Sequence, residues 1–278
     1  MVAQICADIA REARSGADHL NRPGVNVIDR EVYMQGIAGK AKLNGELVAQ
    51  LISGGERLTE SVRAEIVRRE RSVIPELVEI LDNKDLGQSN APGHGYAPIH
   101  ATAILKDLKA VEAADTMLCV LSRCDVMDIL HGTLIDALTS LGPQIVEPTL
   151  RGYAIAENED QRAAIGSVLS RIHVRDSRIL PILLQILEEN VETGACSLAY
   201  YGDPAALPHL STALDACKMD RQGGPFANQN IIELAAAIED LGGKLTRYQA
   251  KLLQDVDRAR NKDLAPLKKL LSRSPRNV

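Results

Sequence analysis

The sequence predicts an all-α fold: a right-handed α-solenoid of five or six helical hairpins behind an atypical amino-terminal helical cap. Three observations carry that prediction. Six times an apolar helical stretch ends and another begins about seven residues later. Strand signals are nearly missing. The apolar side chains are overwhelmingly small or aliphatic, with one Phe, six Tyr and no Trp in 278 residues.

The recurrence runs from Arg68 to Pro75, Leu108 to Asp115, Leu141 to Pro148, Tyr201 to Pro208 and Leu241 to Tyr248, with Ile172 to Pro181 two residues longer. The start points are separated by 40, 33, 33, 27 and 40 residues. That is the period of helical-hairpin repeats, in which each unit is too small to hide its apolar face alone. Proline suits a helix start because the first backbone N–H groups have no acceptor within the helix.

The clearest unit spans residues 143–190. Leu141-Gly142-Pro143 stops one helix, after which Ile145, Val146, Leu150 and Ile155 keep helical spacing and are expected on a buried stripe. Beyond Glu157-Asn158-Glu159-Asp160, a second helix opens on Gln161-Arg162 and carries Ile165, Val168, Leu169 and Ile172 on one face. Pairing the two helices and stacking the pair on its neighbour buries both stripes. Small and aliphatic side chains suit such closely packed pairs.

Gly202-Asp203-Pro204-Ala205-Ala206-Leu207-Pro208-His209-Leu210, a turn into a first helix, and Arg162-Ala163-Ala164, within a second helix, resemble HEAT-like repeats, including the short bacterial phycobilisome-lyase type. The resemblance covers residues 60 to 260, with Asp115 and Tyr248 standing where the pattern has proline. It implies a stack of helix pairs that offers surface, and it is almost silent on function, because this architecture serves many tasks.

The chain is expected to divide into a cap over 1–58, a repeat body over 59–260 and a basic helix and tail over 261–278. Within the cap, Ala3 to Arg14 reads as an amphipathic helix, Asn21-Arg22-Pro23-Gly24 as a turn and Asp29 to Ile52 as one or two helices. Thr59 is a suitable N-cap for a helix running to Arg71. The first fifteen residues include Asp8, Arg11, Glu12 and Arg14, and no later stretch has the length of uncharged residues that a membrane span needs. No membrane is expected, and a cytoplasmic location is.

Five scattered cysteines, Cys6, Cys119, Cys124, Cys196 and Cys217, read as reduced core thiols. His131 and Arg162 each fall ten residues before the end of a second helix, a position suited to capping or bridging hairpins. The HEAT-repeat enzyme deoxyhypusine hydroxylase holds iron through repeated His-Glu pairs. Here Ala101 follows His100, Gly132 follows His131 and Leu210 follows His209, so no metal and no cofactor are expected.

A HEAT-like DNA glycosylase would need a cationic groove and aromatic side chains for a damaged base. The chain carries a net charge of -5, and its positive charge gathers at the carboxyl end, where residues 258–276 hold a net +6. A lyase acting on a bilin chromophore is raised only by the repeat type. The leading expectation is a non-enzymatic scaffold or adaptor that binds another protein, not nucleic acid. Any contact with an anionic partner would fall on the basic carboxyl-terminal helix.

Two links between the helices of a pair are long: 82–97, with His94, Tyr96 and His100 in or just after it, and 218–228, with Phe226. They occupy the same place in their units, so a regular stack sets them on one edge, where they are expected to form two rims of a binding groove. Tyr201 joins His94, Tyr96, His100 and Phe226 as a candidate binding residue. It follows Tyr200, and neighbours on a helix point about 100° apart, so at least one of the two tyrosines is expected in the core.

Overall fold

The computed structural model describes residues 45–224 and 226–271, and among them there are α-helices and short 3₁₀ turns but no strand. The expected helix at Ala3–Arg14, the turn at 21–24 and most of the cap lie outside the described residues. The helices are α1 (45–53), α2 (Glu60–Arg68), α3 (Ile74–Asp82), α4 (Ala97–Asp107), α5 (Ala114–Leu121), α6 (Ile129–Ser140) and α7 (Val146–Ala154). They continue as α8 (Glu159–Arg171), α9 (Ile179–Glu189), α10 (Val191–Tyr201), α11 (Leu207–Ala216), α12 (Gln229–Asp240) and α13 (Arg247–Leu271). No helix among the described residues is long and apolar enough to cross a membrane.

Packing follows chain order. α3 packs on α4, α5 on α6, α7 on α8, α9 on α10 and α11 on α12, so five sequential pairs form. The second members touch one another in a continuous row, α4 to α6 to α8 to α10 to α12. The first members α3, α5 and α7 pack side by side, whereas α9 packs against α8 as well as α10. The row of second helices supplies most of the continuous core, with Ile104, Leu105, Leu134, Leu138, Val168, Leu169, Leu198 and Leu234 at most 1% exposed.

One junction conformation recurs and explains the seven-residue spacing. One or two residues after α2, α4, α6, α8, α10 and α12, the chain places Glu70, Lys109, Gly142, His173, Gly202 and Gly242 at φ values of 50 to 78°. A left-handed residue at this point lets backbone N–H groups close onto the last helical carbonyls. Four of these junctions then make a 3₁₀ turn into the next helix. Pro75, Pro148, Pro181 and Pro208 all fall within the first three residues of a helix, where no N–H is missed. Asp115 and Tyr248 take the second position of α5 and α13, which any residue can fill.

The left-handed region costs a residue with a Cβ about 1–2 kcal/mol. Substituting exposed His173 by glycine is therefore expected to stabilise the protein by about 0.5–1 kcal/mol, after part of the gain is offset by glycine's freedom in the unfolded chain. Gly142→Ala, whose new methyl would meet open space, is expected to destabilise by about 1 kcal/mol for the same conformational reason alone. Urea midpoints of the two variants should move in opposite directions.

Exposed ion pairs tie corresponding first helices together. Arg123 meets Asp82 at 2.8 Å between α3 and α5, Arg151 meets Asp115 at 3.3 Å between α5 and α7, and Arg178 meets Glu147 at 2.5 Å between α7 and α9. Surface pairs of this kind contribute little stability, and their consequence is register between neighbouring hairpins. The longer junction before α9 is organised by Asp176, whose carboxylate accepts from the Arg178 backbone and side chain and is thereby held down at about 2.

Three details depart from the sequence reading. Ile155 is 80% exposed and does not join the buried stripe, because α7 ends at Ala154 and the chain turns away. The helix expected to continue to Arg71 stops at Arg68, and the residues Glu70–Val73 form a 3₁₀ turn. α13 runs unbroken through residue 260, where the charge of the sequence changes, to Leu271.

Candidate functional site

The long link between α3 and α4 is folded down onto the end of α1. Asn83 accepts from the Asp85 N–H and starts one 3₁₀ turn at Lys84–Gly87, and a second follows at Pro92–Gly95. Gly93, at φ 72°, has no Cβ to keep it from the Ile52 carbonyl, and a Cβ on Gly95 would sit 2.7 Å from the Gly87 carbonyl oxygen. The His100 ring donates from Nε2 to the Gly55 carbonyl at 2.7 Å and stacks on Tyr96 with ring centroids 6.3 Å apart. His94 stays exposed. Tyr96 and His100 therefore fasten α1 to the first pair.

The link between α11 and α12 closes on itself. The Asn228 side chain accepts from the Asp220 N–H at 2.7 Å and donates to the Asp220 carbonyl at 2.9 Å, leaving Phe226 69% exposed. Its flank forms a crevice with α13 between Arg221, Asn228, Val256 and Arg260. Tyr201 is buried at 7% exposure; its hydroxyl donates to the Asp176 carbonyl at 3.3 Å, and the Arg175 guanidinium lies 4.8 Å over its ring. The five candidate residues thus fall in three separate places: His94, Tyr96 and His100 at the first pair, Tyr201 inside the fourth and Phe226 on the fifth.

Two further clefts lie on the row of second helices. One is lined by Arg63, Lys106 and Asp107 with Ile129, Thr133 and Asp136 of α6. The other lies between α8, α10 and α12 and is lined by Ser167, Arg171, Glu192, Cys196, Tyr200 and Glu233, among others. Glu192, Cys196 and Tyr200 are spaced by four residues, so one face of α10 presents them together. The Arg171 guanidinium sits 4.3 Å over the Tyr200 ring, a cation–π contact that fixes both side chains.

In this second cleft the Cys196 thiol donates to Glu233 Oε2 at 3.2 Å, and Gln229 Nε2 donates to Glu233 Oε1 at 2.6 Å. Burial first, and then the hydrogen bond to a carboxylate, push the Cys196 thiol up to about 12. It is a protonated hydrogen-bond donor at neutral pH, and nucleophilic chemistry needs the thiolate. Iodoacetamide at pH 8 is accordingly expected to modify exposed Cys119 well before Cys196, as read by peptide mass spectrometry, with the difference abolished in denaturant.

Arg162 does bridge hairpins, meeting Glu189 of α9 at 2.9 Å. His131 does not share that role: it is 8% exposed, its Nε2 has no hydrogen-bond partner, and burial followed by the nearby Arg171 charge pushes its pKa down. Among the described residues no group of three or more His, Cys, Asp or Glu side chains is gathered closely enough to hold a metal ion. The class of protein defined here is an all-α chain of sequential helix pairs with open clefts along the row of second helices. No protein-family model, curated protein or solved structure gives a significant match to it.

Proposed function

We propose that this chain is a HEAT-like α-solenoid acting as a non-enzymatic protein-binding scaffold, with its partner laid along the second helices. Sequential pairing, the six recurrent left-handed junctions and ion pairs linking residues 27 to 44 positions apart all support a repeat architecture. In such a stack each unit contacts its neighbours, and the row of equivalent helices becomes an extended surface.

The observation that carries the binding role is the placement of both clefts between successive second helices, with side chains at helical spacing turned into them. Pre-ordered groups such as Arg171 on Tyr200 and Cys196 on Glu233 bind with less loss of side-chain freedom than mobile ones. The acidic balance of the second cleft, two carboxylates against one guanidinium, favours a basic or mixed partner surface over nucleic acid.

Affinity isolation with quantitative mass spectrometry tests this reading. A Tyr200→Ala, Glu233→Gln double variant should lose the partners that wild type retains. A Glu188→Ala control, at an exposed position of α9, should keep them. Identical partner sets for all three proteins would overturn it.

A further inference from the structure

The links at the ends of the second and third pairs form a different surface. Seven large apolar side chains are exposed among the described residues, and four of them stand in these two neighbouring places: Val126 at 73%, Met127 at 91%, Ile129 at 63% and Ile155 at 80%. Because α5 packs on α7 and α6 on α8, the link from α5 to α6 lies beside the link from α7 to α8. Exposed apolar residues scattered singly are ordinary, whereas a group of them marks an interaction surface.

The exposure is built into the link. The Asp125 carboxylate accepts from the Met127 N–H at 2.8 Å, and the Asp128 carboxylate accepts from the Leu130 N–H at 2.9 Å. These two local turns fix the backbone between them and hold Val126 and Met127 outward. The same two carboxylates, with Glu157, Glu159 and Asp160 on the neighbouring link, surround the apolar group with negative charge. None of the five has an ion-pair partner among the described residues, and the nearby Arg123 and Arg151 are engaged by Asp82 and Asp115.

We propose that this edge docks an amphipathic helix of another protein, one whose apolar stripe is flanked by Lys or Arg. The apolar group supplies the area to be buried, and the carboxylate ring selects cationic flanks and speeds encounter. The same ring repels an anionic lipid surface and nucleic acid phosphates. Ile129 also lines the cleft beside Arg63 and Asp136, whereas the cleft around Tyr200 and Glu233 shares no side chain with this edge.

The test uses the full chain and a fluorescein-labelled 18-residue Leu/Lys peptide with helical periodicity, with a scrambled peptide of equal composition as control, read by fluorescence anisotropy. Wild type should bind the periodic peptide about tenfold or more tightly than a Met127→Asp, Ile155→Asp variant does. That variant adds negative charge, so non-specific attraction predicts the opposite order. Asp125→Asn with Asp128→Asn should weaken binding and flatten its salt dependence, whereas Glu188→Gln should not. Circular dichroism checks folding, which substitutions at such exposed side chains leave intact.

Equal binding by wild type and the Met127, Ile155 variant would overturn the proposal, as would equal binding of the scrambled peptide. Self-association of the chain in sedimentation that the same variant abolishes would also overturn it, by assigning the edge to a second copy. Loss of binding in the Tyr200, Glu233 variant, with the link variant unaffected, would overturn it while leaving the cleft reading standing.

Discussion

Gly194→Ala is expected to destabilise the protein by about 3 kcal/mol, at the upper end of what one added methyl does in a packed core. Gly194 sits in the first turns of α10, which a single residue, Asn190, joins to α9, and the Asn190 side chain accepts from the Thr193 N–H at 3.0 Å to start the second helix. With so short a link the two helices cross at close range. A Cβ on Gly194 would stand 2.8 Å from Leu187 Cβ and closer still to the Leu187 Cα and N. Those are main-chain atoms, so no side-chain rotation can relieve the overlap and the helices themselves must part.

A control of opposite sign isolates this packing effect. Gly132 lies within α6 facing open space, and alanine there should stabilise by up to about 1 kcal/mol through helix propensity. Gly152 in α7 would make only ordinary contacts, at 3.7 Å to Ile165 Cδ1, and should behave like Gly132. Urea denaturation of the three variants provides the measurement. Unchanged stability of Gly194→Ala would mean that α9 and α10 are not packed as described.

Much of the fold was legible because the junctions write themselves into the sequence at short range. A left-handed residue, a tight turn and a helix start need no distant partner, so glycine at 142, 202 and 242, and proline just inside the helices that follow the first two, leave a local mark. The apolar stripes were readable for the same reason, except at Ile155, where one helical turn more or less decides between core and solvent. The candidate site was far less legible. The pair Tyr200-Tyr201 contained a usable signal: Tyr200 shares a face with Cys196 and Glu192, whereas Tyr201 shares one with Ser197 and Leu198, both buried. What brings Arg171 over Tyr200 and Glu233 to Cys196 is the packing of α10 between α8 and α12, a relation among residues 29 and 37 positions apart that no local pattern records. The two long links were visible as insertions, but an insertion does not announce whether it stands free or lies against its neighbour. Gly93 and His100 decide that by contacts to Ile52 and Gly55.

Those contacts set the second large effect. Gly93→Ala is expected to detach α1 and α2 from the first pair, because the new methyl would collide with the Ile52 carbonyl oxygen, crowd the Gly55 N at 3.2 Å and force φ 72° on a residue that resists it. The conformational part alone costs about 1–2 kcal/mol, and the clash with main-chain atoms adds to it, giving about 3 kcal/mol locally. The consequence should differ in kind from that of Gly194→Ala. Gly194 lies inside the row, where α8 and α12 both pack against α10, so its loss is shared with the pairs on either side. Gly93 lies near one end of the described series of helix pairs, and an end unit can open while the rest stays folded. Hydrogen exchange should therefore show faster exchange of α1, α2 and residues 83–96 in Gly93→Ala, with α8, α10 and α12 protected as in wild type. His100→Ala, which removes the donor to the Gly55 carbonyl, should give the same pattern at about 1–2 kcal/mol. Uniform acceleration across all helices in either variant would show that α1 and the central pairs unfold as one body.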